Sequence, residues 1–256
     1  MNTKKLTMVA TPDPGAPLRL FCFPYAGAGA SIFRAWSRDF AHVAEVVGIQ
    51  LPGRENRFSE PRYTRLGNVV DALVDALGDF ADKPFFFFGH SVGALIAFEL
   101  TRALERHRRA APFHLAVAGM RAPQLPRRRE PLYELDDASF VAKIREFNGI
   151  PREVLEHAEL MQLVTPLLRD DFAICDTYRY ADGPPLRCPL TAFSGDADPD
   201  VTVDELEAWS PNTAAEFEYY MFPGDHFFIH PNRPRIVEIL RLIATRQARA
   251  PEPALA

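Results

Sequence analysis

Residues 85–94 read Phe85-Phe86-Phe87-Phe88-Gly89-His90-Ser91-Val92-Gly93-Ala94. Four successive aromatics after Lys83-Pro84 show no polar alternation, which is how a strand buried on both faces of a parallel sheet reads. From Ala94 to about His107 the pattern is helical, apolar through Leu100 and polar beyond. Its start is therefore expected to be buried and its end exposed. Between strand and helix stands Gly-x-Ser-x-Gly. Alone, that pentapeptide is a weak signal. Directly after a strand and opening a helix, it predicts a strained turn that projects the Ser91 hydroxyl from the sheet edge. The glycines suit a strained turn lying close to its neighbours, and the helix N-terminus would lie beneath any developing negative charge. An ordinary strand-to-helix turn with Ser91 as its N-cap is the competing structural reading.

Outward from this stretch, short apolar runs alternate with helical patterns. Leu18–Phe23 and Val43–Leu51 read as strands ended by Pro24 and by Pro52-Gly53. Arg65–Phe80 reads as a helix whose Leu66, Val69, Val70, Leu73, Leu77 and Phe80 share one face. Phe113–Ala118, Pro189–Phe193 and Phe217–Phe222 are further strands, and Pro234 to about Arg246 is a closing helix, with Pro234 in its first turn. The pattern predicts an α/β fold, a mostly parallel central sheet with helices on both faces. Residues from about 121 to 187 break the alternation and read as helices alone: Ala138–Phe147, Arg152–Leu163 and Pro166–Tyr178. Such an insertion suits a cap or lid over a site at the carboxyl edge of the sheet. The whole chain is expected to form one domain, with a disordered Pro/Ala-rich tail at about 248–256.

Composition narrows the class. With 256 residues, 47% of them hydrophobic, the chain can bury a sizeable core. A net charge of −5 weighs against a general nucleic-acid binder. Cys22, Cys175 and Cys188 are odd in number and contain no Cys-x-x-Cys pair, so a reducing compartment is expected. The N-terminus lacks the apolar core of a signal peptide, and no apolar run approaches a membrane span. These absences predict a cytoplasmic protein, and a monomer is the default expectation.

A serine hydroxyl is a poor nucleophile without a base. On this kind of sheet the partners follow in the order serine, acid, histidine. His226, in Pro223-Gly224-Asp225-His226, comes just after the strand 217–222 and is the expected base, with His230 as runner-up. His226 and His230 are spaced i, i+4, but no Glu lies between them and Pro231 follows, so no metal site is expected. His157, within the helical insertion, reads as surface or structural. The acid should orient the imidazole. After Leu190–Phe193 the chain reads Ser194-Gly195-Asp196-Ala197-Asp198-Pro199-Asp200, and a Gly-x-x-Asp turn selects Asp198. Asp196 is expected to help the turn and Asp200 to cap the next segment. An oxyanion hole needs two backbone N–H groups. One would come from Val92, the other from Tyr25 or Ala26 in the small, Gly-rich loop 24–30. That loop carries neither Gly-x-Gly-x-x-Gly nor a Walker lysine, so nucleotide binding is not expected.

Together, Phe23-Pro24-Tyr25-Ala26-Gly27-Ala28-Gly29, Leu51-Pro52-Gly53-Arg54-Glu55 and Gly89-His90-Ser91-Val92-Gly93-Ala94 resemble the type II thioesterases. These are stand-alone editing enzymes of polyketide and nonribosomal peptide synthases, on the α/β-hydrolase fold. Phe147-Asn148-Gly149-Ile150-Pro151, Leu168-Arg169-Asp170-Asp171-Phe172, Gly195-Asp196-Ala197-Asp198-Pro199 and Gly224-Asp225-His226-Phe227-Phe228 follow in matching order, so the resemblance spans roughly 18–245. It implies hydrolysis of acyl thioesters on the phosphopantetheine arm of acyl or peptidyl carrier proteins, with no cofactor. It also implies a Ser91–Asp198–His226 triad and an oxyanion hole at Ala26 and Val92. Many relatives have Met where this chain has Val92, a change a backbone donor tolerates. Arg54 belongs to the signature without an evident mechanistic role. Tyr25, Phe147, Phe172 and Phe227 are candidate substrate contacts, and Phe140 and Tyr178 either line an apolar chamber or fill the core of the insertion. The basic runs Arg127-Arg128-Arg129 and Arg106-His107-Arg108-Arg109 could dock an acidic carrier or be plain solvated surface. A general carboxylesterase, a chain-releasing thioesterase and a non-catalytic carrier-binding module are the alternatives. The N-terminus begins near the first strand, which favours a stand-alone protein.

Overall fold

The computed structural model describes residues 6–80, 82–147, 149 and 152–249. Among them, seven strands form one sheet: β1 (Thr7–Met8), β2 (Leu18–Phe23), β3 (Ala44–Ile49), β4 (Phe85–His90), β5 (Leu115–Ala118), β6 (Leu190–Gly195) and β7 (Phe217–Phe222). Their order is β1-β3-β2-β4-β5-β6-β7. Only the two-residue edge strand β1 pairs antiparallel, with Thr7 opposite Ile49. It is too short to carry a readable pattern. The other neighbours are parallel, so β4, bearing the aromatic run, lies at the centre.

The helices are α1 (Trp36–Asp39), α2 (Leu66–Ala76), α3 (Val92–Arg106), α4 (Asp137–Glu146), α5 (Arg152–Glu156), α6 (Ala158–Asp176), α7 (Val203–Glu207) and α8 (Arg233–Arg249). The period-two geometry of a strand splits the aromatic run between two faces. Phe85 and Phe87 join Phe21, Phe23 and the inner faces of α2 and α3 in one core. Phe86 and Phe88 pack with Trp36, Phe40 and the α8 residues Ile236 and Leu240 in the other. Each face of the sheet is thus covered by helices, which is why the run Phe85–Phe88 is wholly apolar. The parallel order also brings the carboxyl ends of β2, β4, β6 and β7 to one edge, where the loops carrying the candidate residues emerge.

α4, α5 and α6 fall between β5 and β6. The expected helix over Arg152–Leu163 is instead two, parted at His157, which is exposed and stands as the N-cap of α6. The expected break before Pro166 does not occur, because α6 runs through it. Proline removes the N–H that would serve the Gln162 carbonyl, but Gln162 and Pro166 face solvent. Thr165 Oγ1 donates to the neighbouring Met161 carbonyl at 2.6 Å, while Leu167 and Leu168 hold the next turn in the core. At the C-terminus α8 continues to Arg249, so 248 and 249, placed in the tail by sequence, are helical. Residues 250–256 lie outside the described residues.

Candidate active site

Between the end of β4 and the start of α3 there is a single residue, Ser91. Its backbone sits at φ 56°, ψ −122°, a region costing a non-glycine residue of order 1–3 kcal/mol. The amide of Ser91 donates to the Ala118 carbonyl on β5 at 2.8 Å. The flanking glycines are steric requirements. A Cβ on Gly93 would strike the backbone carbonyl of Phe23, and one on Gly89 would strike the carbonyl of Gly93. Ser91 occupies the N-cap position of α3, yet its side chain makes no capping hydrogen bond. The hydroxyl is therefore left for other work, which removes the ordinary N-cap reading.

Asp198 leaves β6 in the predicted Gly-x-x-Asp turn, with its N–H donating to the Gly195 carbonyl at 3.3 Å. Its carboxyl is fully buried and accepts from His226 Nδ1 at 2.9 Å. The other oxygen accepts the Asp200 N–H at 2.9 Å. A carboxylate only accepts, so Nδ1 of His226 is the donor, and in the neutral imidazole Nε2 is the acceptor. Asp196 joins the two loops: its N–H donates to the Phe222 carbonyl at 2.8 Å and its Oδ1 accepts the Gly224 N–H at 3.0 Å. Asp200 does not cap the next helix as expected. Thr202 does, in a reciprocal box with Glu205, because its hydroxyl sits three residues before a glutamate at the right register. His230, the runner-up base, faces the Tyr25 hydroxyl at 3.0 Å; burial lowers its pKa.

Sequence reasoning gave His90 no role. It is fully buried, and its Nε2 lies 2.9 Å from the His226 carbonyl, so Nε2 carries the proton. Burial, reinforced by the neighbouring His226, holds His90 well below the usual imidazole range. It is a neutral donor that fixes the backbone of His226 from below. Among the described residues, one group of three donors stands close enough to hold a cation, namely Asp198, Asp200 and His226, within 4.8 Å. Two of its atoms are already engaged with each other.

The loop 24–30 makes a turn in which the Ala28 N–H donates to the Tyr25 carbonyl at 3.1 Å. Gly27 has φ 80°, the left-handed region open to glycine. Among the described residues, neither the Ala26 nor the Val92 N–H donates to a protein acceptor.

Ser91, Ala26, Val92 and His226 line one cavity of about 950 Å³. Ser91 Oγ and His226 make no hydrogen bond to one another in this structure, and such contacts often tighten only with substrate bound. The four candidate substrate contacts, Tyr25, Phe147, Phe172 and Phe227, also line this cavity, as does Tyr178. Phe140 does not: it is fully buried in the core of the insertion. Arg127, Arg128 and Arg129 lie on the cavity wall and are engaged rather than free. Arg127 donates to the Asp176 carbonyl, Arg128 pairs with Glu205 at 2.5 Å, and Arg129 stands 3.6 Å from Asp200. The Arg129 guanidinium also lies 5.0 Å from the Phe147 ring centre. Arg54, whose role the sequence left open, forms a buried ion pair with Asp171.

Sheet order, elbow and strand-end loops define the class as an α/β-hydrolase. The family described as Thioesterase domain matches residues 18–244. The gramicidin S biosynthesis protein GrsT of Aneurinibacillus migulanus is 44% identical over 231 residues, 90% of each chain. Thioesterase PikA5 of Streptomyces venezuelae is 35% identical, over 93% of this chain and 85% of its own. The solved type II thioesterase BorB of the borrelidin biosynthetic cluster superposes with a TM-score of 0.85 at 33% identity, covering 93% of this chain and 97% of its own. The chain belongs to the thioesterase family, and its reaction is the hydrolysis of acyl thioesters.

Proposed function

We propose that this thioesterase clears acyl groups from the phosphopantetheine arms of carrier proteins in a polyketide or nonribosomal peptide synthase, through an acyl-serine on Ser91. One observation carries the chemical part. An uncapped, strained serine shares a cavity with a histidine whose Nδ1–H is held by a buried carboxylate, leaving Nε2 as base.

In this reading Ser91 Oγ attacks the thioester carbonyl carbon while His226 Nε2 takes its proton. Asp198 stabilises the resulting imidazolium. The tetrahedral oxyanion receives the Ala26 and Val92 N–H groups, and the fixed backbone donors cost no reorganisation as charge develops. The C–S bond breaks, and the departing sulfur takes the proton from the His226 imidazolium, leaving as a thiol and restoring the neutral base. A thiol ionises near pH 8.5, so it needs little acid help. Water, deprotonated by the same imidazole, then attacks the acyl-serine and frees the acid. The helices α4–α6 act as the cap, and their Phe147 and Phe172 meet the acyl chain. Tyr25 and Phe227 complete the wall on the loop side.

The partner is an acyl or peptidyl carrier protein, in keeping with the likeness to the gramicidin S biosynthesis protein GrsT and to the type II thioesterase BorB of the borrelidin biosynthetic cluster. Among the described residues no helix is long and apolar enough to cross a membrane. We place the enzyme in the cytoplasm as a monomer, with its three cysteines free.

The test compares acyl-carrier protein, acyl-CoA and an oxygen ester as substrates for the native enzyme and for Ser91→Ala. The expected result is a clear preference for the carrier-bound thioester and near-complete loss of turnover in the variant, with folding intact. Near-normal hydrolysis by Ser91→Ala would overturn the acyl-serine, and a preference for oxygen esters would make the protein an esterase.

A further inference from the structure

We infer that Arg54 and Asp171 are positioning residues that set the oxyanion turn from the cap side, so that catalysis depends on this ion pair beyond its contribution to folding. The inference rests on the thioesterase mechanism proposed above.

Asp171 lies on α6 and Arg54 in the loop after β3, and both are buried, at 1% and 4% exposure. They meet as a fork on a carboxylate, Nη1 to Oδ2 at 2.9 Å and Nη2 to Oδ1 at 2.8 Å. A buried ion pair is a poor device for stability, because desolvation offsets most of the attraction and a well-packed apolar pair often serves as well. Arg54 Nε and Nη2 reach the Pro52 carbonyl in its own loop at 3.4 Å, and the pair's use is legible in where its other hydrogen bonds go. Asp171 Oδ2 also accepts the Gly27 N–H at 2.7 Å. Arg54 Nη1 also donates to the Ala28 carbonyl at 3.2 Å. The Ala28 N–H in turn holds the Tyr25 carbonyl.

Every group reached by these other bonds lies in the turn 25–28, around Ala26. The Tyr25 carbonyl and the Ala26 N–H belong to one planar peptide, so tying the carbonyl aims the N–H in the opposite direction. The Gly27 N–H belongs to the next peptide and is tied to Asp171. With the peptides on both sides of Ala26 held and the Ala28 carbonyl anchored, the Ala26 N–H keeps a fixed direction at the cavity wall. Gly27, at φ 80°, supplies the left-handed backbone that this shape requires. The charges matter twice. A neutral apolar pair could fill the space but could not accept the Gly27 N–H. An unpaired Asp171 would set a negative charge close to where the oxyanion develops, so Arg54 neutralises it as well as orienting it.

The decisive experiment is the apolar replacement Arg54→Met/Asp171→Leu, together with Asp171→Asn and Arg54→Lys. Each would be assayed for kcat and KM on an acyl-carrier protein at a temperature where it is folded, for melting temperature, and for the rate of labelling by a fluorophosphonate. Deleting an oxyanion donor outright costs about 10²–10³ in kcat, and misaiming one should cost roughly tenfold to a hundredfold. The expected result is a fall of that size in kcat and in labelling rate for all three variants. KM should stay within about threefold, and the apolar pair should melt near the native temperature. Native kcat in a folded apolar variant would overturn the inference and leave the pair a structural contact. If that variant fails to fold, native kcat and labelling rate in Asp171→Asn and Arg54→Lys would overturn it equally. Ser91→Ala, run alongside, separates this failure from failure of the acyl-serine mechanism, because only the latter leaves Ser91→Ala active.

Discussion

His226 donates its Nδ1–H to Asp198 across 2.9 Å, and the accepting carboxyl group has no exposed surface. The bond decides the tautomer of the imidazole and hence which nitrogen is left to serve Ser91 in the proposed mechanism. Asp198→Asn keeps the shape but lets the amide donate to Nδ1, which puts the proton on Nε2. We expect kcat to fall about 10⁴-fold with little change in melting temperature. Thiol release followed on an acyl-carrier protein would check it, and a loss under tenfold would remove Asp198 from the triad.

Gly93→Ala should damage both fold and turnover. The added methyl meets the backbone carbonyl of Phe23, at the junction of β2 with the loop 24–30, and backbone cannot step aside as a flexible side chain can. We expect a loss of roughly 3 kcal/mol in urea unfolding, with kcat depressed even where the variant is folded. Gly67→Ala, where a Cβ meets nothing within 4 Å, is the matched control and should be neutral or stabilising.

Phe147→Ala should change chain-length preference. Its ring lines the cavity and lies 5.7 Å from that of Phe172. Removing it withdraws roughly 2 kcal/mol of apolar contact from a long acyl chain, about thirtyfold in kcat/KM. Acetyl substrates, too short to reach, should be spared. A series of acyl-carrier proteins from two to twelve carbons would show it, and a uniform loss across the series would point to a structural role instead.

Stability should fall as the solution is acidified from pH 6.5 toward 4. Burial, with a lesser push from Arg246, lowers the pKa of His114 to about 4, while its Nε2 meets Thr191 Oγ1 at 2.9 Å. Burial lowers that of His90 as well. Between the unfolded and folded values the unfolded chain binds the proton and the native chain does not, so stability rises with pH across that window. His114 alone accounts for roughly 3 kcal/mol between pH 7 and 4 at most. Urea midpoints measured across this range should flatten in His114→Gln, and an unchanged slope would assign the acid sensitivity elsewhere.

The central strand, the elbow and the pairing of Asp198 with His226 were legible because each is written locally. The aromatic run has a strand's burial on both faces, the glycines mark a forced turn, and Asp198 and His226 come at the ends of later strands. The partners of Arg54 were not. Asp171 is 117 positions away, and a signature arginine says nothing about which carboxylate it will find. His90 was invisible for a related reason, since its partner is a carbonyl, and every residue has one. Pro166 misled because its propensity is a strong local rule. The rule was overridden by an exposed turn on one side of the helix and buried leucines on the other.

The backbone at Ser91 also restricts which residue could serve as the proposed nucleophile. Threonine carries the same hydroxyl and would satisfy the same base. A β-branched side chain, however, is a severe misfit at φ 56°, and the elbow has one residue in which to turn. Serine is thus selected by torsion before it is selected by reactivity, and among natural alternatives only unbranched cysteine offers a nucleophilic atom at the same position. A lineage could drift toward a thiol here, but the path to threonine is closed by geometry.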